Sequence, residues 1–302
     1  MAEEIKVGMI GLDTSHTVAF TKMLNDPESP HFIPDARVVV ACPTFSEDVQ
    51  SSVSRVEGYT QDLRDNFGVK MVETVEEVCE ESDAILLESV DGRRHLPEYR
   101  PVAEAGLPCF IDKPFTASLE DAKEIVRIAK EKKTRLFSSS SLRMIPDVRS
   151  IKDSPERVGE IERVHVFSPA SHEPTNPGLY WYGIHGVEIL YTLMGAGCES
   201  LLAVSDEKAD TVVARWKDGR TSTYTGTRLT RHDYGFVVHG TKETVATVCN
   251  LSDIYVPLVK SIIEFFKGAK PPVPLETTLE MMAFIDAALK SKGDWVALPD
   301  LS

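Results

Sequence analysis

The sequence lacks the features that mark membrane and secreted proteins. Its 302 residues contain no run near the roughly 18 consecutive apolar residues of a membrane span, so no transmembrane segment is predicted. The first residues, MAEEIKVGMIG, place two acids ahead of the apolar run and lack the basic region of a signal peptide. We therefore expect a cytoplasmic protein with no membrane partner.

Basic residues are also scarce, since 33 Lys and Arg stand against 47 Asp and Glu and give a formal net charge of −14. Binding to nucleic acid or to an anionic membrane needs a basic surface. The charge therefore argues against both kinds of partner, and we expect no nucleic acid to bind.

Cysteines are few and scattered, and no two of them form a C-x-x-C pair. Their odd number and irregular spacing exclude a disulfide framework and a zinc ribbon. Reduced thiols buried in the core are the expected state. The five are Cys42, Cys79, Cys109, Cys198 and Cys249.

The composition that remains is that of a globular protein, with 42% hydrophobic and 26% charged residues. A chain of this length is expected to form about two domains. In the first half, short β-branched runs alternate with helical stretches, beginning with Ile5–Ile10 and ending near Arg135–Ser138. This alternation predicts βαβ units and a Rossmann-type, doubly wound parallel sheet.

The second half has a different pattern. Six short strand-like runs lie between residues 160 and 248, and Asp218-Gly219 marks a tight hairpin between two of them. The pattern predicts a mostly antiparallel open sheet with helices on one face. The predicted domains are therefore 1–142, of the dinucleotide-binding type, and 143–302, an α+β domain for substrate binding and oligomerisation.

The turn after the first strand is the natural place for a dinucleotide-binding fingerprint. Of G-x-G-x-x-G only Gly11 is present, because Asp13 and His16 replace the second and third glycines. An aspartate beside a diphosphate is electrostatically unfavourable unless a cation or a proton compensates. Pro43 occupies the place of the usual ribose-binding acid.

Several segments, in order along the chain, resemble motifs of the Gfo/Idh/MocA oxidoreductases. Residues 105–114, AGLPCFIDKP, resemble that family's AGKHVLCEKP signature, and Asp83–His95 resembles its fourth-strand segment. Arg143-Met144-Ile145-Pro146 resembles R-x-x-P, and Gly183-Ile184-His185 resembles G-x-H. Phe236–Val245 resembles its late strand pair, and Thr277–Pro299 resembles its closing helix and terminal V-x-L-P.

The resemblance implies an enzyme that uses NAD or NADP to oxidise or reduce a secondary alcohol of a sugar, a cyclitol or a related polyhydroxylated small molecule. Backbone N–H groups and hydroxyls at the start of the first helix would bind the diphosphate. Thr44 and Ser46 would reach the ribose or a 2′-phosphate. The implied cofactor-binding residues are Gly11, Asp13, Thr14, Ser15, His16, Thr44, Ser89, Asp112 and Lys113.

The same resemblance assigns two catalytic residues. Lys113 matches the family lysine beside the nicotinamide, and His185 matches its histidine general base, a residue type that titrates near neutral pH. The chain departs from the family at Trp181, where an aspartate usually completes the proton relay. Arg143, Tyr182 and Glu188 are the candidate substrate-binding residues, and Glu188 is also placed to orient His185.

Two other function classes stay open. One is an enzyme on the same scaffold without net hydride transfer, such as a lyase, hydrolase or isomerase assisted by a metal. Asp13, His16, His185 and Glu188 are metal-compatible residue types, but their spacing predicts no metal site. The other is a non-catalytic ligand-binding protein, which the joint presence of Lys113 and His185 disfavours.

A homo-oligomer is expected as well. The second-half sheet has too few helices to cover both faces, and an uncovered face exposes an apolar patch. Members of the family associate through this face, so the resemblance implies a homodimer or homotetramer.

Overall fold

The structure, a computed structural model, describes residues 4–301. They form two compact units, the first made of residues 4–139 with 255–275 and the second of residues 140–254 with 276–301. The sequence pattern predicts a single boundary after residue 142. Residues 255–275 lie with the first unit because the helix within them packs against that unit's first helix.

The first unit is built on a six-stranded parallel sheet in the order β3-β2-β1-β4-β5-β6. The strand order reverses between β1 and β4, so the carboxyl ends of these strands form the switch point at which such sheets bind ligands. This confirms the predicted Rossmann-type fold. The strands are β1 (Ile5–Ile10), β2 (Ala36–Cys42), β3 (Lys70–Met71), β4 (Ala84–Leu87), β5 (Cys109–Ile111) and β6 (Leu136–Ser138).

Helices connect these strands. The fifth helix, Leu119–Lys132, is capped by the Ser118 side chain. This side chain accepts a hydrogen bond from the Asp121 N–H at 3.1 Å, as the sequence predicts. The second helix, Gln50–Phe67, has a mostly exposed, polar surface, and its buried residues are Ser52 and Leu63. The helices are α1 (Ser15–Asn25), α2 (Gln50–Phe67), α3 (Val75–Glu80), α4 (Gly92–Ala105) and α5 (Leu119–Lys132).

A sixth helix of the first unit comes from late in the chain. This helix, α9 (Tyr255–Phe266), places the Phe265 ring edge-on against Phe137 of β6, with 4.8 Å between ring centroids. The guanidinium of Arg135 stacks on the Phe265 ring and donates to its carbonyl. These aromatic and cationic contacts hold α9 against the sheet, although more than a hundred residues of the second unit intervene.

The second unit is built on a seven-stranded sheet in the order β12-β11-β7-β10-β9-β8-β13. Only the β7–β10 pair is parallel, so the mostly antiparallel sheet predicted for this half is confirmed. The strands are β7 (Ile161–Pro169), β8 (Cys198–Ser205), β9 (Ala209–Trp216), β10 (Thr221–Thr227), β11 (Gly235–Gly240), β12 (Thr244–Val248) and β13 (Val296–Ala297).

Four helices belong to this unit. The most buried of them, α8, lies against β7 and β10. At Gly186 an added Cβ would meet Tyr224 Cε2 at 2.3 Å and Ser168 Oγ at 2.5 Å, so only glycine lets this helix come so close to the sheet. The four are α6 (Pro146–Asp153), α7 (Pro155–Val158), α8 (Ile184–Met194) and α10 (Leu275–Ser291).

Two expectations from the sequence concern membrane-spanning helices and disulfides, and both can be examined within residues 4–301. No helix in that range is both long and apolar enough to span a bilayer. All five cysteines are unpaired, and four of them are buried. Burial raises the pKa of each thiol, to about 11 at Cys42 and about 12 at Cys198.

Candidate functional site

The turn that follows β1 is held by a glycine for which no other residue can substitute. Gly11 has a φ of +81°, in the left-handed region, and an added Cβ would lie 2.3 Å from Ser89 Oγ and 2.4 Å from Ser89 N. Gly11 therefore lets the β1 turn pack directly against the end of β4. Its N–H donates to the Cys42 carbonyl at 3.1 Å, which fixes the turn to β2 as well.

Asp13, at the position of the second fingerprint glycine, has its carboxylate turned into the protein. Its side chain is fully buried; Oδ2 accepts from Ser52 Oγ at 2.6 Å, and Oδ1 accepts from the Val90 N–H at 2.8 Å. Burial raises the pKa of Asp13, and the two hydrogen bonds act against that rise. Both oxygens thus serve to join α2 and the β4 end to the turn.

The start of α1 has the character of an anion-binding site. Thr14 is the N-cap residue, and its side chain makes no capping hydrogen bond to any described residue. Ser15 is exposed beside it. The N–H groups of the first helical turn and the positive end of the helix dipole would therefore meet a bound anion without a capping side chain in the way.

The residues after β2 lie beside those after β4. Thr44 Oγ1 and Ser89 Oγ are 3.3 Å apart, and Ser46 Oγ donates to Asp91 Oδ2 at 2.7 Å. A cavity of about 480 Å³ opens here, lined by Phe45, Ser46, Glu47, Asp48, Asp91, Arg93 and Arg94. The Arg93 guanidinium is paired with Asp48 and Asp91.

These residues fit the diphosphate of a dinucleotide at the level of the backbone. The glycine turn is intact, the helix start is uncapped, and the Asp13 carboxylate is bonded to Ser52 and Val90 rather than left facing an anion. The unfavourable charge expected from the sequence is therefore reduced.

The carboxyl end of β5 brings together three further residues of the first unit. Asp112 and Lys113 follow that strand and are 1% and 7% exposed. His16 Nδ1 lies 2.7 Å from Asp112 Oδ2 and 3.9 Å from Glu88 Oε2, and its ring packs against both Phe20 and Tyr255. His16 thus reaches across the edge of the sheet instead of allowing the close approach that a third glycine provides.

The carboxyl groups of this cluster differ in their electrostatics. Burial raises the pKa of Glu88 well above its usual value, and the charge of Asp112 adds to the rise. Burial alone would raise the pKa of Asp112 too, but His16 and Lys113 hold it below its usual value. Asp112 therefore ionises more readily than Glu88.

In the second unit, His185 lies in the first turn of α8 and is held by a residue that the sequence analysis did not select. Its Nδ1 is 2.7 Å from Ser140 Oγ, which also accepts a hydrogen bond from the Leu142 N–H at 3.1 Å. The Tyr182 ring lies edge-on to the imidazole with 5.1 Å between centroids. Ser140 belongs to a run of four serines, residues 138–141, at the end of β6.

Glu188 supports His185 through Ser140 and not by a direct bond. Its Oε1 accepts from the Ser140 N–H at 3.1 Å, while Oε2 accepts from the Arg143 guanidinium. Both side chains are buried, at 2% and 8% exposure. Burial raises the pKa of Glu188, and the Arg143 charge and the two hydrogen bonds oppose the rise.

This pairing changes the roles expected for the three candidate substrate-binding residues. Arg143 and Glu188 bind one another, and Arg143 Nη2 also lies 3.4 Å from Met281 Sδ. Tyr182 is 37% exposed and remains a candidate for substrate contact. Trp181, at the place of the usual aspartate, is half-buried in the turn before α8.

The comparison with protein families identifies the class. Residues 5–140 match the family model described as an oxidoreductase family with an NAD-binding Rossmann fold, Gfo/Idh/MocA. Residues 5–140 therefore match this family of oxidoreductases, and the resemblance read from the motifs is confirmed for that part of the chain. No curated protein matches the chain.

Solved structures extend the likeness in fold to the whole chain. A scyllo-inositol dehydrogenase from Lactobacillus casei, solved with NAD(H) and scyllo-inositol, is 14% identical with a TM-score of 0.79, covering 98% of this chain and 99% of that one. An oxidoreductase from Thermotoga maritima is 16% identical with a TM-score of 0.78, covering 99% and 100%. GenD2 of gentamicin A biosynthesis, in complex with NAD, is 15% identical with a TM-score of 0.80, covering 99% and 98%. Identities this low support a shared fold only.

Proposed function

We propose that the chain is an NAD(P)-dependent oxidoreductase that acts on a secondary alcohol of a cyclic polyol, a sugar or a related molecule. One observation carries this proposal: Lys113 is buried at the carboxyl end of β5, in the family-matched segment and on the same sheet edge as the glycine turn. The relative from L. casei was solved with scyllo-inositol, which supports a polyol as the substrate class.

The bound cofactor would supply a nicotinamide ring that accepts or returns a hydride. The chain itself must bind the diphosphate, hold the alcohol and manage its proton. The backbone of the Gly11 turn and the uncapped start of α1 serve the first task. Lys113 serves the second, since an ammonium group donates to an alcohol oxygen and stabilises negative charge that develops on it.

His185 is the proposed general base. When Nδ1–H donates to Ser140 Oγ, the imidazole accepts the proton of an alcohol at Nε2. The Glu188 carboxylate fixes the backbone of Ser140, and Arg143 fixes Glu188. We assign Ser140, Glu188 and Arg143 as positioning residues, and Tyr182 as a candidate for contact with the substrate.

The test combines cofactor binding with turnover. Titration of the wild type with NADH and NADPH, followed by quenching of protein fluorescence, is expected to give saturable binding of at least one of the two. Lys113→Met is expected to keep that binding but to lose about a hundredfold or more in kcat on any cyclitol or sugar that the wild type oxidises. The matched control is Lys123→Met, which removes an exposed lysine of α5.

Two results would overturn the proposal. One is the absence of any response of the wild type to all four nicotinamide dinucleotides at millimolar concentration. The other is unchanged turnover by the Lys113 variant. An Asp13→Gly variant adds a comparison, since tighter binding by this variant would mean that Asp13 weakens the site for nucleotide.

One observation favours the second function class, an enzyme without net hydride transfer that uses a metal. His16, Glu88 and Asp112 form a compact set of metal-compatible groups on the sheet edge. Failure of dinucleotide binding together with stoichiometric metal would favour this class.

We also propose that the chain assembles as a homodimer or homotetramer through the sheet of the second unit. Alternate residues of its central strands, among them His165, Phe167 and Val213, are only half-buried in the single chain. Sedimentation of the protein as a monomer at micromolar concentration would contradict this assembly.

A further inference from the structure

Three metal-compatible side chains converge at the edge of the first sheet. His16 comes from the first turn of α1, Glu88 follows β4, and Asp112 follows β5. One nitrogen or oxygen atom from each lies within 4.8 Å of those from the other two, and all three residues are buried. The residues are far apart in the chain, and the adjacent ends of β1, β4 and β5 bring them together.

The hydrogen bonds of this cluster are incomplete. Within residues 4–301, neither carboxyl oxygen of Glu88 has a hydrogen-bond partner, and Oδ1 of Asp112 has none. Glu88 is 0% exposed, so water does not satisfy it at the surface. A buried carboxyl group without partners is costly, and buried carboxylates are commonly found paired with a cation or bound to a metal.

The neighbouring side chains do not supply the missing hydrogen bonds. Lys113 is close enough for its charge to favour the ionised forms of both carboxyl groups. It nevertheless leaves the three carboxyl oxygens without hydrogen bonds. His16 satisfies only Oδ2 of Asp112 and lies 3.9 Å from Glu88. The carboxyl groups that carry these oxygens belong to the same cluster as the His16 imidazole.

We propose that His16, Glu88 and Asp112 bind one divalent metal ion. The imidazole would coordinate through a nitrogen that carries no proton, and each carboxylate would coordinate through an oxygen. One imidazole and two carboxylates form a mixed nitrogen and oxygen set, which suits Zn²⁺, Mn²⁺ or Fe²⁺ better than Mg²⁺ or Ca²⁺.

The arrangement also has a consequence for ligands at the same edge. Three protein ligands leave at least one coordination position for water or for an oxygen of a bound molecule. A divalent ion would offset the two negative charges next to the glycine turn, where an anionic ligand would bind. The metal site does not depend on the proposed hydride transfer, and its test contains no measurement of turnover.

The experiment uses the full chain, stripped of metal with a chelator and then titrated with Co²⁺. Co²⁺ substitutes for Zn²⁺ and reports its ligands through visible absorption. We expect one Co²⁺ per chain, bound with a dissociation constant of about 10 μM or tighter, and displacement by Zn²⁺. Mg²⁺ at the same concentration is expected not to compete.

Two variants remove a single ligand with little change in shape, Glu88→Gln and Asp112→Asn. Each is expected to weaken Co²⁺ binding by at least about tenfold. The matched control is Asp91→Asn, which removes another buried carboxylate on the same edge, where Arg93 and Ser46 already bind it. The control variant is expected to bind Co²⁺ as the wild type does.

Folding is checked by thermal unfolding in chelator, where Glu88→Gln is expected to be at least as stable as the wild type because it removes a buried carboxylate without partners. Wild-type Tm is also expected to rise on addition of Zn²⁺. If the variants fail to fold, the absorption spectrum of wild-type Co²⁺ protein and its loss in His16→Gln decide the matter. Absence of saturable binding below about 1 mM would overturn the proposal, and so would a Co²⁺ affinity of Glu88→Gln and Asp112→Asn equal to that of the wild type.

Discussion

The buried pair of Arg143 and Glu188 allows a quantitative test of how the second unit holds His185. In Arg143→Met the Glu188 carboxylate keeps only the Ser140 N–H as a partner, at 3.1 Å. Because Glu188 is 2% exposed, this leaves a nearly uncompensated charge in the core. Removing one partner of such a pair costs about 3–5 kcal/mol of unfolding free energy at neutral pH.

The loss of unfolding free energy in Arg143→Met is expected to grow as the pH rises. Burial raises the pKa of Glu188 in the folded wild type, and removal of Arg143 raises it further. A carboxyl group whose pKa is raised on folding destabilises the folded protein only at pH values high enough to ionise it. The deficit of the variant should therefore be smallest near about pH 5 and grow as the pH rises toward about pH 8.

Urea unfolding followed by tryptophan fluorescence measures this deficit in the relevant unit. The three tryptophans, Trp181, Trp216 and Trp295, all lie in the second unit. Adding Glu188→Gln to the variant replaces the charge by a neutral amide whose oxygen still accepts from Ser140. The double variant should recover at least about 2 kcal/mol and lose the pH dependence.

The reasoning would be refuted by a loss below about 1 kcal/mol in Arg143→Met, or by a deficit that does not change with pH. Either result would mean that Glu188 is relieved by solvent or by another partner. If the pair positions His185 as proposed, kcat of the variant should also fall, and Glu188→Gln alone should affect it less.

Three further predictions concern the first unit and the thiols. Gly11→Ala should cost at least about 2 kcal/mol, because it adds a clash with Ser89 to the left-handed backbone penalty. Gly106→Ala, with a φ of +72° and open space around it, should cost only about 1 kcal/mol, and urea unfolding compares the two. Ser118→Ala should cost about 1 kcal/mol through the lost cap of α5, whereas an unchanged Tm would contradict the role of that hydrogen bond. Titration of the thiols with a disulfide reagent at about pH 8 should modify few cysteines in the native protein and all five after denaturation. The reason is that burial raises the pKa of every thiol. Rapid modification of the native protein would contradict this prediction.

The helices and strands that the sequence predicts well are those with a strong local signal. The β-branched runs of the first sheet are buried on both faces, and α5 combines a capping serine with apolar residues at helical spacing. α2 has no comparable signal, because its surface is largely polar and only two of its residues are buried. The sequence analysis accordingly predicts no helix over Gln50–Phe67.

The residues of the candidate site likewise differ in how well the sequence predicts them. Lys113 and His185 stand out because each lies in a short contiguous motif that resembles a family signature. Ser140, which holds His185, lies 45 positions away from it and has no motif of its own. Glu188 was expected to orient His185, but helix spacing alone does not show that Arg143 and Ser140 are its partners.

The sequence by itself determined the class of fold, the family resemblance and the two principal candidate catalytic residues, since each depends on local periodicity or on a contiguous motif. Only the tertiary structure decided that Asp13 turns inward to Ser52 and Val90, and that His16, Glu88 and Asp112 meet at one edge. The sequence spacing predicts no metal site, and the proposal made from the structure replaces that prediction. The physical reason is the parallel sheet, because residues dozens of positions apart become neighbours when they follow adjacent strands at the same carboxyl edge.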